Sequence, residues 1–346
     1  NYAKQDFTPR LYTKFATIEK EYGALAPEAP VSLASYLAIL NGAVLVGIKQ
    51  VEMDEDSNND GVNDTASVSA FMSAVDDLEG PLTGGVLLDM LIALRGDSSD
   101  LLSYMTRHAD IQSDLRHRAE RTVLAGLSAG TEPRDAGRVA TGIARTRFRM
   151  VYPDIVIVSL PQADGPDEET LVDGTYLAAM LAGSLVSPNT DVATPWTGRR
   201  LVGAKRLART LDAVEQNQVA VNGVTVLMDQ GNIIKVRHGL TSDMSATLTK
   251  LPTIQLIVDE VQQQSRSTLE RFIGTKFLPG VLSQIEGQLS NTLKGLVNAQ
   301  ILSQYAGVKA NVSPSNPTEA EVNAAVAPVF PLLYLLVNFS LRSSLS

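Results

Sequence analysis

The apolar positions of this chain change their spacing repeatedly, and each change marks an element. Leu33, Tyr36, Leu37 and Leu40 recur at helical intervals and Gly42 follows, so Ser32 to Asn41 predicts a helix. Before it, Phe7 to Phe15 is extended and Ile18 to Gly23 predicts a short helix closed by glycine. Val44 to Val51 has the β-branched density of a buried strand. Val68 to Leu78 and the long, charged, amphipathic Ser99 to Arg121 predict helices, whereas Val86 to Ile92 and Thr122 to Leu127 predict strands. A basic helix from Pro133 to about Arg149 leads to a buried strand at Ile155 to Leu160. Strand and helix alternating in this way predict an α/β fold, with a mixed, largely parallel sheet layered with helices.

Gly165 to Thr170 is rich in Pro, Gly and acid, which predicts a boundary between an N-terminal part, 1–165, and a C-terminal part, 166–346. The second part opens with a helix at Thr175 to Leu185 and a turn at Ser187, Pro188 and Asn189. A helical turn at Asp212 to Gln216 precedes two strands, Val219 to Met228 and Ile233 to His238, joined as a hairpin. Leu256 to Phe272 and Val281 to Val297 are amphipathic helices, and Tyr305 to Val312 is strand-like. The chain closes on an extended β-strand arm, Leu332 to Leu341, in which Leu333, Leu335, Val337, Phe339 and Leu341 alternate onto one face. Such a strand adds readily to an exposed sheet edge, including that of another copy, so these five are the candidate subunit-interaction residues. Pro314, Pro317, Pro328 and Pro331 give Ser313 to Pro331 the composition of a hinge before it.

A 44% hydrophobic, 19% charged composition is that of a folded chain, and 346 residues suffice for a sizeable core. The net charge of -9 repels phosphate backbones, which argues against a nucleic-acid partner. Two local basic clusters, Arg199, Arg200, Lys205, Arg206 and Arg209, and Arg107, Arg116, Arg118 and Arg121, read as solvated faces or as contacts to acidic faces of neighbouring copies. With no cysteine there is no disulfide, thiolate site or Cys nucleophile, which fits synthesis in a reducing cytoplasm. No apolar run approaches the roughly 20 residues of a spanning helix, so direct membrane insertion is not expected. The chain opens at Asn1 rather than Met, and an upstream piece is expected.

Three motifs bear on chemistry. Gly126, Leu127, Ser128, Ala129 and Gly130 spell a nucleophile elbow after a strand, the basis of an alternative reading as a serine hydrolase using Ser128. Thr131 and Pro133, however, place the next helix start several residues late, and only His238 follows to act as base. Asp56, Asn58, Asp60, Gly61 and Asp64 match the first nine positions of a calcium loop, with Asp56, Asn58, Asp60 and Asp64 as candidate ligands. Position twelve is Ser67 instead of a bidentate Glu, so a site there would be weak; a calcium-dependent binding module is the second alternative. His108, His117 and His238 form no ligand spacing and are expected in solvated or capping roles. No cofactor and no catalytic residue are expected.

Taken in order, several segments resemble the contractile-tail sheath family of myophages, R-type pyocins and related injection systems. They are Lys14 to Gly23, the helix to Asn41, Gly42 and Ala43 with the strand after it, and the Ala/Gly helix Thr175 to Asn189 with Ala178, Ala179, Ala182 and Gly183. Leu201 to Gly203, Val219 to Leu227 with Asn222, Gly223 and Val224, Arg237 to Thr241, the late helical segments Ile254 to Ile273 and Phe277 to Leu296, and the closing Pro328 to Leu341 complete the series. Gly239 and Leu240 depart from the family's pattern. The resemblance implies a structural subunit of a contractile tail sheath, in stacked hexameric rings around an inner tube, with no enzymatic role. Its partners would be other sheath subunits, the inner tail tube protein, and the baseplate and tail terminator proteins. Its place would be the virion tail, after synthesis in the bacterial host cytoplasm, and the family's N-terminal arm would lie before Asn1.

Overall fold

The computed structural model of the chain describes residues 8–55, 66–82, 84–162, 165–231, 233–278 and 280–333. It begins with a small antiparallel pair, β1 (Arg10–Tyr12) and β2 (Val46–Ile48), with α1 (Phe15–Tyr22) and α2 (Pro30–Leu40) between them in sequence. α3 (Val68–Asp76) starts where the Ser67 hydroxyl accepts from the Ala70 amide. The alternation then runs β3 (Met90–Leu91), α4 (Ser99–Gln112), β4 (Thr122–Ala125), α5 (Pro133–Ile143), β5 (Phe148–Tyr152). β6 (Ile155–Leu160) turns back through β7 (Glu168–Asp173) into α6 (Gly174–Leu185), followed by β8 (Ala204–Leu207), α7 (Ala213–Val221), β9 (Val224–Asp229) and β10 (Ile234–His238). α8 (Thr247–Lys250), α9 (Pro252–Leu269), α10 (Val281–Asn298) and the strands β11 (Leu302–Val312) and β12 (Ala320–Pro328) complete the described chain.

The main sheet has the order β10-β9-β5-β4-β3, parallel throughout except for the β9–β10 hairpin, as the strand–helix alternation predicts. A second, antiparallel sheet has the order β7-β6-β8. α6 lies between the two: Leu124, Val151, Leu227 and Val236 of the main sheet and Val156, Val158, Leu160 and Val172 of the small one share a single core cluster with it. Every residue from Gly174 to Ser184 is buried, which explains why this helix is apolar all round instead of striped. α2 crosses it where Gly183 has no side chain; a Cβ there would stand 2.0 Å from the Ala38 carbonyl oxygen. The opposite face of the main sheet, with Val123, Ala125, Phe148, Met150, Val224 and Val226, is covered by α3, α4, α5 and α7. The body is thus four layers: helices, main sheet, α6 with α2, and small sheet.

Several boundaries differ from the sequence pattern. α4 stops at Gln112, not Arg121, because the Asp114 carboxylate takes the Arg116 and His117 amides into a turn and Arg118 adopts a left-handed conformation. The helix expected to reach Arg149 ends at Ile143, and Phe148–Tyr152 is instead the central strand β5, disguised in the sequence by the buried Arg149. The Val219 to Met228 strand divides: a capping box of Asp212 and Glu215 carries α7 on to Val221, and Asn222 with Gly223 (φ 78°) turns the chain into β9. Glu168 to Asp173 is a strand, and β12 occupies the segment read as a hinge. Of the closing strand arm only Leu332 and Leu333 fall within the described residues; Leu335, Val337, Phe339 and Leu341 lie outside them. Among the described residues no helix is long and apolar enough to cross a membrane.

Candidate assembly interface

The glycine-rich motif is built for packing. A Cβ on Gly126 would stand 1.7 Å from the Gly174 carbonyl oxygen, and the Gly174 amide donates to the Leu127 carbonyl at 3.0 Å, so β4 and the start of α6 touch backbone to backbone. Gly130 (φ 91°) donates its amide to the wholly buried Asp154 carboxylate at 2.7 Å. Ser128 is held by its amide, which donates to Asp97 at 2.8 Å, and α5 begins only at Pro133, so no helix follows the serine directly. His238, on β10, is three strand positions from β4, or about 14 Å in the sheet. The structure does not bring the two together.

The calcium-loop candidates Asp56, Asn58, Asp60 and Asp64 lie outside the described residues. Ser67, at the loop's twelfth position, is engaged as the cap of α3 and donates its hydroxyl to Asp54 at 2.5 Å. Among the described residues no group of three or more acidic or histidine side chains could hold a metal ion. The histidines divide. His117 binds Asp114 through Nδ1 at 2.9 Å, a local turn role of the kind expected, but His108 is buried against Arg121, whose Nη1 lies 3.2 Å from Nε2. A guanidinium only donates, so Nε2 is the acceptor and the proton sits on Nδ1. Burial, and then the Arg121 charge, push His108 down to about 4.

The basic clusters are not uniformly solvated faces. Arg121 is buried and donates to the Leu78, Gly80 and Ala119 carbonyls, and Arg199 donates to the Ser184 carbonyl. Arg209 bridges Glu132, the Tyr152 hydroxyl and Asp154. Arg107, Arg116 and Arg118 remain exposed. Sequence reasoning missed a further set, in which Arg147 forms a two-pronged bond with Asp259 of α9 (2.7 and 2.8 Å) and Arg266 of α9 pairs with the buried Glu120. Arg149 lies over the Trp196 ring, 5.3 Å from its centre, and burial pulls it down to about 9. α9 is therefore docked on the body by charged contacts as well as by Leu256, which packs against the core around α6.

That docking positions the surface best suited to assembly. α9 and α10 form their own core of Ile257, Leu289, Leu293 and Leu296, which also receives Leu302 of β11. Among the described residues β11 and β12 pair only with each other, over 8 residue pairs, as a ribbon with mostly exposed side chains. Among the described residues no further strand pairs with either outer edge, although Glu286 of α10 accepts the Ala310 amide at 2.9 Å, and the Val329 amide still donates to the Ile301 carbonyl where the ribbon ends. Pro314 and Pro317 fall in the turn between the strands and Pro328 ends the second, positions at which a missing amide removes no ladder bond.

No family model matches. The chain is 24% identical over 335 residues to the tail sheath protein of Mycobacterium phage Bxz1, covering 94% of this chain but 54% of that protein. It spans about half the length of the relative it matches. The contracted helical sheath of the anti-feeding prophage superposes with a TM-score of 0.68 at 12% identity, covering 96% of this chain and 88% of that one. The sheath of an extracellular contractile injection system, also contracted, gives 0.67 at 12% identity over 99% and 88%. A sheath tail protein of Desulfitobacterium hafniense gives 0.57 at 12% identity over 82% and 66%. In fold, the chain is similar to contractile sheath proteins over nearly its whole described length.

Proposed function

We propose that this chain, which carries the fold of contractile sheath proteins, is a structural subunit of a contractile tail sheath. Copies stack as hexameric rings around an inner tube and shorten to drive the tube through a target envelope. The observation that carries the reading is coverage: the likeness to a phage tail sheath protein runs over 94% of the chain in sequence, in the same order as the elements of the fold. The subunit works by binding other copies, the tube, the baseplate and the tail terminator, and not by catalysis. Its place is the virion tail, after synthesis in the host cytoplasm, and it engages neither nucleic acid nor a membrane directly. Residues 1–165 form the N-terminal part and 166–346 the C-terminal part that ends in the strand-donating arm, and both contribute strands to the sheets of the body.

The β11–β12 ribbon, whose edges pair with no further strand among the described residues, supports a specific mode of linkage. The arm, through Leu333, Leu335, Val337, Phe339 and Leu341, adds to the ribbon of a neighbouring copy, where a backbone ladder holds register while the rigid bodies move. Negative-stain microscopy of the full chain is expected to show tubes. Deleting Pro331 to Ser346 should leave a folded body that no longer forms them. Ordered tubes from the truncated protein, or its outright unfolding, would refute the arm.

A further inference from the structure

The two outermost layers of the body carry small apolar centres with rims of opposite charge. On the helical side, Ile111 (43% exposed) and Leu115 (77% exposed) lie at the end of α4 and in the turn that follows, beside Arg107, Arg116 and Arg118. This turn is rigidly made: the Asp114 carboxylate accepts the Arg116 and His117 amides at 2.7 and 2.9 Å, and the Arg118 amide donates to the Asp114 carbonyl at 3.0 Å. It holds a leucine in water, and none of the three arginines has an ion-pair partner among the described residues.

On the other side, the small sheet turns one face outward. Leu171 (58% exposed) stands opposite Ile157 in the β6–β7 register, and Glu169 of the edge strand β7 and Asp167 just before it fall on the same face by alternation, whereas Glu168 falls on the other. Arg206 reaches Glu169 at 3.6 Å from β8, on the far side of β6, while Asp167 accepts from Ser159 and Glu168 from Gln162. The acidic rim is therefore arranged but only partly neutralised.

We infer that the α4 end of one copy, Leu115 with Arg107, Arg116 and Arg118, docks on the outward β7 face of a second copy, Leu171 with Asp167 and Glu169. Charge complementarity selects the occupant, since a chain of net charge -9 repels its copies overall and needs a local basic surface meeting a local acidic one. The layer order selects the geometry. The two surfaces lie on opposite sides of the body, so their contact is head to tail and leaves a free surface of each kind at the ends, as a growing assembly requires. The inference rests on the assembly reading above and adds to it a contact separate from the arm.

The absence of native cysteine makes a direct test available. The full chain carrying both Leu115→Cys and Leu171→Cys, incubated with a mild oxidant at low salt, is expected to give a ladder of cross-linked dimers, trimers and higher multimers. Each single variant should give none. Arg116→Glu with Arg118→Glu added to the double-cysteine chain should lower the cross-linking rate at least tenfold, and Asp167→Arg with Glu169→Arg added in turn should restore it. No ladder, or dimers from either single variant alone, would overturn the pairing. Tubes by microscopy without a ladder would leave the sheath reading standing and remove this contact; a ladder without tubes would do the reverse.

Discussion

Gly126 and Gly142 show how differently a single methyl group is received in one fold. At Gly126 it would meet the Gly174 carbonyl at 1.7 Å, so Gly126→Ala must separate β4 from α6 and should cost about 3 kcal/mol or more by urea melting. Gly142, near the end of α5, has nothing within 4 Å of its added carbon, and Gly142→Ala should gain about 0.5 kcal/mol. The glycine at 126 was legible as a motif but not as a contact, because its partner lies 48 residues away and only the fold brings them together. His108 is a second such case. Its neighbour Arg121 returns to it after a turn that the helical pattern ran straight through. Buried and held near 4, His108 stays neutral in the fold while the unfolded chain takes a proton below about 6.5. Its contribution is thus fully present above pH 6.5 and is lost as pH falls toward 4, by up to about 3 kcal/mol. His108→Gln keeps an acceptor for Arg121 but cannot titrate, so its stability should fall less than the parent's between pH 7 and 4.5.

Elements with a plain apolar rhythm were legible: α2, α6, α9, α10, β6 and β10 lie within a few residues of where the spacing puts them. Those that failed did so for identifiable reasons. β5 is the centre of the main sheet, yet Arg149 interrupts its apolar run, and a buried arginine is recognisable only once Trp196 and Pro252 are seen around it. β12 has alanine where a packed strand would carry larger side chains, because its surface is mostly exposed. The docking of α9 gives an element-scale prediction. Asp259→Ala leaves Arg147 charged and buried without its partner, and should cost about 3–5 kcal/mol, whereas Arg147→Met combined with Asp259→Leu should cost much less. The comparison of the single and double variants, by thermal melting, decides whether the pair stabilises the seam or specifies it. Ser128→Ala, by contrast, should melt within about 0.5 kcal/mol of the parent, and a fluorophosphonate probe should label neither protein.

At the scale of the molecule, the alternation predicts a closing strand that lies mostly outside the described residues, and the ribbon proposed to receive it was not legible at all. The ribbon's exposure depends on α9 and α10 holding it off the layered body on a core of their own, an arrangement that no local pattern encodes. The same arrangement means that protection from solvent is uneven across the chain. The strands of the main sheet are covered on both faces, whereas the β11–β12 amides belong to a two-stranded ribbon resting on one pair of helices. Two strands alone are marginal in water, so the ribbon should open far more often than the body and exchange its amide hydrogens for deuterium first. A neighbour's strand laid along an edge would then close the very amides that exchanged fastest. Deuterium uptake over 302–328 should therefore slow by orders of magnitude on assembly while that of β4 and β5 barely changes, and equal uptake in free and assembled protein would show that the ribbon is no receptor.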